Sequence, residues 1–135
     1  PASNGPVIKQ QTLAASYQWG KTRFHAGMNT GKSDANTPNA LNRRNWHLGI
    51  TSNLSERHVI RALYGRADDR SSANSDFASF QLGYQYNLSK RSMLYVAYGM
   101  VDNNDFSTKA FAGSAGTYLS GSTPKSFITG IRHNF

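Results

Sequence analysis

The stretch 80–102 constrains this chain more than any other, because its pattern fits a two-stranded hairpin and little else. Phe80, Leu82, Tyr84 and Tyr86 are apolar at every second position, with Gln81, Gly83, Gln85 and Asn87 between them. A period of two is the strand period and gives one apolar and one polar face. The run Asn87, Leu88, Ser89, Lys90, Arg91 is short and polar, which suits a tight turn. Alternation then resumes, with Leu94, Val96, Tyr98 and Met100 on one face and Tyr95, Ala97 and Gly99 on the other. The chain contains this hairpin twice. Residues 46–57 match 80–91 at a constant offset of 34 residues, and the match continues through Ile60/Leu94, Tyr64/Tyr98, Gly65/Gly99 and Asp68/Asp102.

The same alternation predicts strands over 12–19, 22–30, 43–53, 57–67, the two halves of 80–102, and 125–135. Residues 1–10, 31–42, 68–75 and 103–124 read as loops, the last with room for a small hairpin of its own. Seven strands of roughly nine to eleven residues match the length of a tilted membrane-spanning strand, whereas strands of soluble proteins run nearer ~5–6. The connections also alternate. Those at 20–21, 54–56 and 88–90 are short, and those after Thr30, Ala67 and Asp102 are long. Short turns at one end and long loops at the other mark an up-and-down transmembrane β-barrel. In lipid every backbone amide must bond within the protein, so a sheet can span only where it closes.

Composition excludes the other membrane architecture. The chain is 38% hydrophobic, with no apolar run near the ~18 residues of a spanning helix. Cysteine is absent, which excludes a disulfide scaffold and a thiolate metal site. The start shows no signal-peptide pattern. The expectation is that a leader has been removed or that the chain is part of a longer one.

Charge gives the function class. The net charge is +8, from 15 basic and 7 acidic residues, which suits nucleic acid, anionic lipid or an anion path. The acidic residues fall in turns, loops or strand ends. Arg23, Arg61 and Arg132 alternate onto the polar face of their strands, and Lys21 shares the parity of Arg23. A Lys or Arg facing lipid at the midplane costs ~2–4 kcal/mol, so these basic residues are expected to line a water-filled lumen that attracts anions. The competing reading is that acidic residues on strands outside this sequence neutralise them.

Aromatics take the other face. Trp19, Tyr86 and Phe135 fall at one set of strand ends and Trp46 and Phe80 at the opposite set, while Tyr17, Tyr84 and Tyr98 share the outward parity. Such residues form a lipid-facing aromatic girdle. The competing reading makes them the packed core of a soluble, basic β-domain that binds nucleic acid. That function needs basic and aromatic residues interleaved on one face, and here they separate.

The remaining signals are weaker. His25 and His47 share the lumen face, but no carboxylate has the parity of a third metal ligand. Asn53-Leu54-Ser55 and Asn87-Leu88-Ser89 match the glycosylation pattern only as recurring turns. Arg43 and Arg44 enter a strand from a long loop, either to bind lipid phosphate or as a solvated pair, which is the preferred reading. No phosphate loop, nucleophile elbow or metal motif is present, so no catalytic residue, metal or cofactor is expected.

These residues resemble the C-terminal part of the Gram-negative general porins, in the trimeric, sixteen-stranded family of beta-proteobacterial type. The run Leu82-Gly83-Tyr84-Gln85-Tyr86-Asn87-Leu88-Ser89-Lys90-Arg91-Ser92-Met93-Leu94-Tyr95 is similar to that family's penultimate periplasmic hairpin. The ending Gly130-Ile131-Arg132-His133-Asn134-Phe135 is similar to its terminal strand. The resemblance implies that 1–135 is a single barrel segment, about seven C-terminal strands of a larger all-β antiparallel barrel, which does not close by itself. It implies an outer-membrane homotrimer in contact with lipid bilayer and lipopolysaccharide, with Ile131, His133 and Phe135 read by the outer-membrane assembly machinery. The activity it implies is passive diffusion of small hydrophilic solutes with anion preference, without enzyme chemistry or nucleic acid. A channel specific for an anionic metabolite is the alternative. The short turns are expected to be periplasmic and the long loops extracellular.

Overall fold

The computed structural model describes residues 6–37, 40–111 and 118–135. Seven strands run up and down: β1 (Ile8–Trp19), β2 (Thr22–Ser33), β3 (Asn42–Asn53), β4 (His58–Asp69), β5 (Phe77–Asn87), β6 (Ser92–Asn103) and β7 (Lys125–His133). They form one sheet in sequence order, every neighbouring pair antiparallel. The sheet is open, with β1 and β7 as its edges. A strand of 12 residues spans about 36 Å along its axis, and at a tilt near 40° about 28 Å across a membrane.

The register fixes the two faces. Tyr17, Phe24, Ile50, Ala62, Leu82, Tyr98 and Phe127 stand opposite one another in one continuous row. One residue along each strand, Gln18, Arg23, Thr51, Arg61, Gly83, Ala97 and Ile128 form the next row, pointing to the opposite face. The end of pairing at the short turns steps from Trp19↔Thr22 to Asn53↔Val59 to Asn87↔Met93, always in the same direction along the sheet. That stagger is the shear a barrel wall needs.

Among the described residues no packed interior lies under the aromatic face. Among the described residues the buried apolar side chains are Val59, Ala67 and Val101, all on the polar side of the sheet. On the other face Trp19 is 71% exposed, Tyr17 68% and Phe127 70%. A soluble β-sandwich would bury these side chains, so that reading fails. Apolar area of this extent finds its low-energy surroundings in hydrocarbon.

Several strand ends differ from the sequence expectation, mostly at the long-loop side. Residues 8–10, expected in a loop, pair with β2 through Ile8↔Ser33, Lys9↔Lys32 and Gln10↔Gly31. The carboxylate and backbone of Asp34 close this end, accepting from the Val7 amide at 2.7 Å and donating to its carbonyl at 3.1 Å. β4 runs on to Asp69, β5 begins at Phe77, and β7 stops at His133 rather than Phe135. Backbone pairing continues here where side-chain alternation has ended. The small hairpin expected within 103–124 is absent from 104–111 and 118–124, and its remaining part, 112–117, lies outside the described residues.

The short turns share one device. Ser55 Oγ accepts from the amides of Arg57 and His58 (both 3.2 Å), and Ser89 Oγ accepts from those of Arg91 and Ser92 (3.1 and 3.0 Å). The first turn instead uses Gly20 at φ +56°, a conformation glycine adopts without strain.

Candidate pore-lining surface

Two cationic residues of the polar face, Arg23 and Arg61, are held by side-chain amides. Arg23 Nε donates to Gln18 Oε1 at 3.0 Å, and Gln18 Nε2 donates to the turn carbonyl of Gly20 at 2.7 Å. Arg61 Nη1 donates to Gln85 Oε1 at 2.8 Å. Gln85 Nε2 then donates to Asn87 Oδ1 at 2.6 Å, and Asn87 Nδ2 to the carbonyl of Glu56 at 3.2 Å. Each guanidinium is therefore oriented by a glutamine that is itself tied to a short turn. These acceptors are neutral, so they position the charge without cancelling it. Among the described residues, the ion pairs with Asp or Glu are those of Arg43 and Arg66. Arg23 and Arg61 flank Thr51 in one row, about 10 Å apart at the backbone, close to the Debye length of roughly 8 Å in physiological salt. Their fields overlap.

Arg132 faces the same side near the end of β7, opposite Met93. Lys21 lies in the two-residue turn rather than on a strand, and its carbonyl accepts from the Asn53 amide at 2.9 Å. Sequence reasoning missed Gln18 and Gln85. Gln18 had a signal, since a two-residue turn sets it directly opposite Arg23. Gln85 reaches Arg61 diagonally and had none.

The long-loop end carries the acidic residues. Asp69 pairs with Arg43 at 3.7 Å and accepts from the amides of Ser71 and Ser75. Arg66 binds Asp68 at 2.7 Å and reaches Asp76 at 4.0 Å. The expected solvated pair of Arg43 and Arg44 is corrected: strand alternation splits it, with Arg43 ion-paired on the polar face and Arg44 exposed on the outer one. Lys9 and Lys32 stand opposite each other on that outer face, one row beyond the Arg44–Asp68 row. The sequence reading weighed lipid phosphate as a partner of Arg43 and Arg44 but missed Lys9 and Lys32.

The aromatic residues divide between strand ends and strand middles. Trp19 closes β1, and Tyr84 and Tyr86 lie toward the short-turn end of β5. His58 joins that band, its Nδ1 2.6 Å from the Tyr84 hydroxyl and its ring 4.9 Å from that of Tyr86. Trp46 packs on Tyr64 at 5.4 Å, and Phe80 faces Tyr64 across β4 and β5. Tyr98 sits at mid-strand on β6. Phe135 lies beyond β7, its ring edge-on to His133 at 4.8 Å. His25 Nε2 lies 3.4 Å from Thr51 Oγ1. Among the described residues no group of three or more His, Asp or Glu is placed to hold a metal.

An up-and-down sheet with a lipid-compatible face and a cationic, amide-rich concave face is the wall of a membrane β-barrel channel, and this fold points to a channel rather than an enzyme. The chain belongs to the Gram-negative porin family, whose model matches residues 2–105, and this places it in the cell outer membrane. In structure it is similar to an anion-selective porin from Comamonas acidovorans, at 26% identity and a TM-score of 0.82, covering 95% of this chain and 39% of that one. It is similar also to the outer-membrane expressed OmpT of Vibrio cholerae, at 17% identity and a TM-score of 0.72, covering 93% of this chain and 41% of that one. The chain thus spans about two fifths of the length of either of these chains. A search of the curated proteins gives no match.

Proposed function

We propose that the complete protein is a passive, anion-preferring diffusion pore for small hydrophilic solutes, and that residues 1–135 form a C-terminal segment of its barrel. The observation that carries this reading is the row Arg23, Thr51, Arg61, in which both guanidinium groups bond to glutamine oxygens instead of carboxylates. An anion entering the lumen meets positive potential that it can share without displacing a counter-charge, and a cation meets repulsion. Arg132 and Lys21 add to the same field toward the short-turn end. The anion selectivity in the name of the Comamonas acidovorans porin agrees with this reading.

The partners follow from the outer face. Lys9, Lys32 and Arg44, exposed near the long loops, lie at the height of phosphate groups in an outer leaflet of lipopolysaccharide. Ile131 and His133, exposed on one side of the last strand, and Phe135, exposed just beyond it, form the signal read by the assembly machinery. A homotrimer is the assembly proposed for the closed barrel.

In the complete pore, Arg61→Glu reverses one lumen charge. The expected result is a lower anion-to-cation permeability ratio, read as a shift of the reversal potential in a KCl gradient. An unchanged reversal potential would remove Arg61 from the selectivity mechanism.

A further inference from the structure

The water-facing side of the wall is not uniformly polar. We propose that it carries an amphipathic solute subsite centred on Gly83 and Ala97, which takes a carboxylate with an apolar or aromatic body. This rests on the anion-pore reading and deepens it by naming a solute class.

A hollow of about 770 Å³ lies along the sheet from β2 to β7, lined mostly by polar-face residues, within the size range of small-ligand sites. Gly83 and Ala97 are register partners and form its floor. A Cβ at Gly83 would meet only the Val96 carbonyl, at 3.9 Å, so the space above the floor is open. Arg61 stands beside Gly83 on β4, with Leu63 two residues further along that strand on the same face. Ile128 stands on the other side, opposite Ala97, and is 52% exposed. The long loop after β6 brings Phe111 over the upper margin, where its ring would lie 2.7 Å from a Cβ on Gly99.

A lumen that only conducted hydrated ions would have no use for Ile128 exposed on its wet side, since apolar area in contact with water is unfavourable. A solute with an apolar body relieves that contact. Its carboxylate finds Arg61, which among the described residues spends one donor on Gln85, leaving four of a guanidinium's five N–H groups. One cationic wall and one apolar wall over a small-residue floor select against inorganic anions and short carboxylates, and favour benzoate-like ones.

The test uses the complete pore in a planar bilayer, with KCl on both sides and sodium benzoate or sodium acetate added at equal concentration. Benzoate is expected to reduce the current saturably, and acetate is not. Gly83→Leu, which fills the floor, is expected to raise the half-blocking benzoate concentration roughly tenfold. Phe111→Ala, in the loop and away from the floor, is expected to weaken block in the same direction and serves if the Gly83 variant does not insert. Equal action of benzoate and acetate, or block indifferent to both substitutions, overturns the subsite while an anion-selective reversal potential leaves the pore reading intact. A cation-selective wild-type pore overturns both.

Discussion

At the residue scale, the concave face is built by laying rings across glycines. His25 lies over Gly49, His47 over Gly27 and Tyr95 over Gly130, and in each case ring and glycine are register partners on neighbouring strands. The contact is close: a Cβ on Gly49 would sit 2.5 Å from His25 Cδ2 and 3.1 Å from Leu63 Cδ1, and one on Gly130 would sit 2.5 Å from the Tyr95 hydroxyl. The glycine backbone is covered, and the ring lies along the wall instead of standing in the channel. Gly49→Val in the complete barrel is therefore expected to displace His25 from Thr51 and to destabilise the fold by about 1–3 kcal/mol, seen as a lower urea midpoint at unchanged slope. Gly83→Ala, placed in open space, is expected to leave the midpoint where it was. If both variants unfold at the wild-type midpoint, the ring-on-glycine contacts hold nothing together.

At the scale of elements, what was legible in the sequence was parity, and what was not was extent. Lipid on one side and water on the other force every second residue to differ, so Leu82, Tyr84 and Tyr86 announced both their strand and their face. Nothing forces that difference above the membrane, where Ile8 to Gln10 and Gly31 to Ser33 pair through backbone alone, and the sequence there reads as loop. Side-chain contacts across a register were equally hidden. Gln85 reaching Arg61, and Arg43 reaching Asp69, depend on which residues the turns bring opposite one another. The loop after β6 is a further case, because one side chain ties it at several points. Asn103 Oδ1 accepts from Ser107 Oγ and the Lys109 amide, and its Nδ2 donates to the carbonyls of Lys109 and Ser122, all at 2.8–2.9 Å. Asn103 is 7% exposed and Ser107 1%, so neither of these two side chains has water as a ready substitute. Asn103→Ala is expected to free this segment and make the bond after Lys109 sensitive to trypsin in the folded, membrane-inserted pore, where the wild type resists. Equal resistance of the two proteins would show that the loop is held by something other than Asn103.

At the scale of the whole molecule, the sheet ends on two strands with one partner each. β1 is exposed along all its 12 residues, and its outward-directed amides and carbonyls, alternate ones along the strand, have no strand partner among the described residues. In water such an edge is satisfied by solvent. In hydrocarbon each bare polar group costs several kcal/mol, so seven strands inserted alone are far less stable than the same seven within a closed wall. Apolar area adds to the problem, since the row through Tyr17, Leu82 and Phe127 has nothing but lipid or detergent to cover it. The polypeptide 1–135, refolded by itself in detergent, is therefore expected to pair edge to edge into a broad distribution of oligomers on light scattering. Amide exchange should be slow along β4 and β5 and fast at alternate positions of β1 and β7. The complete chain under the same conditions should give a single assembly with β1 protected throughout. A monodisperse monomer of 1–135 with β1 fully protected would mean that the sheet closes on itself, and the open wall described above would then not be its state in detergent.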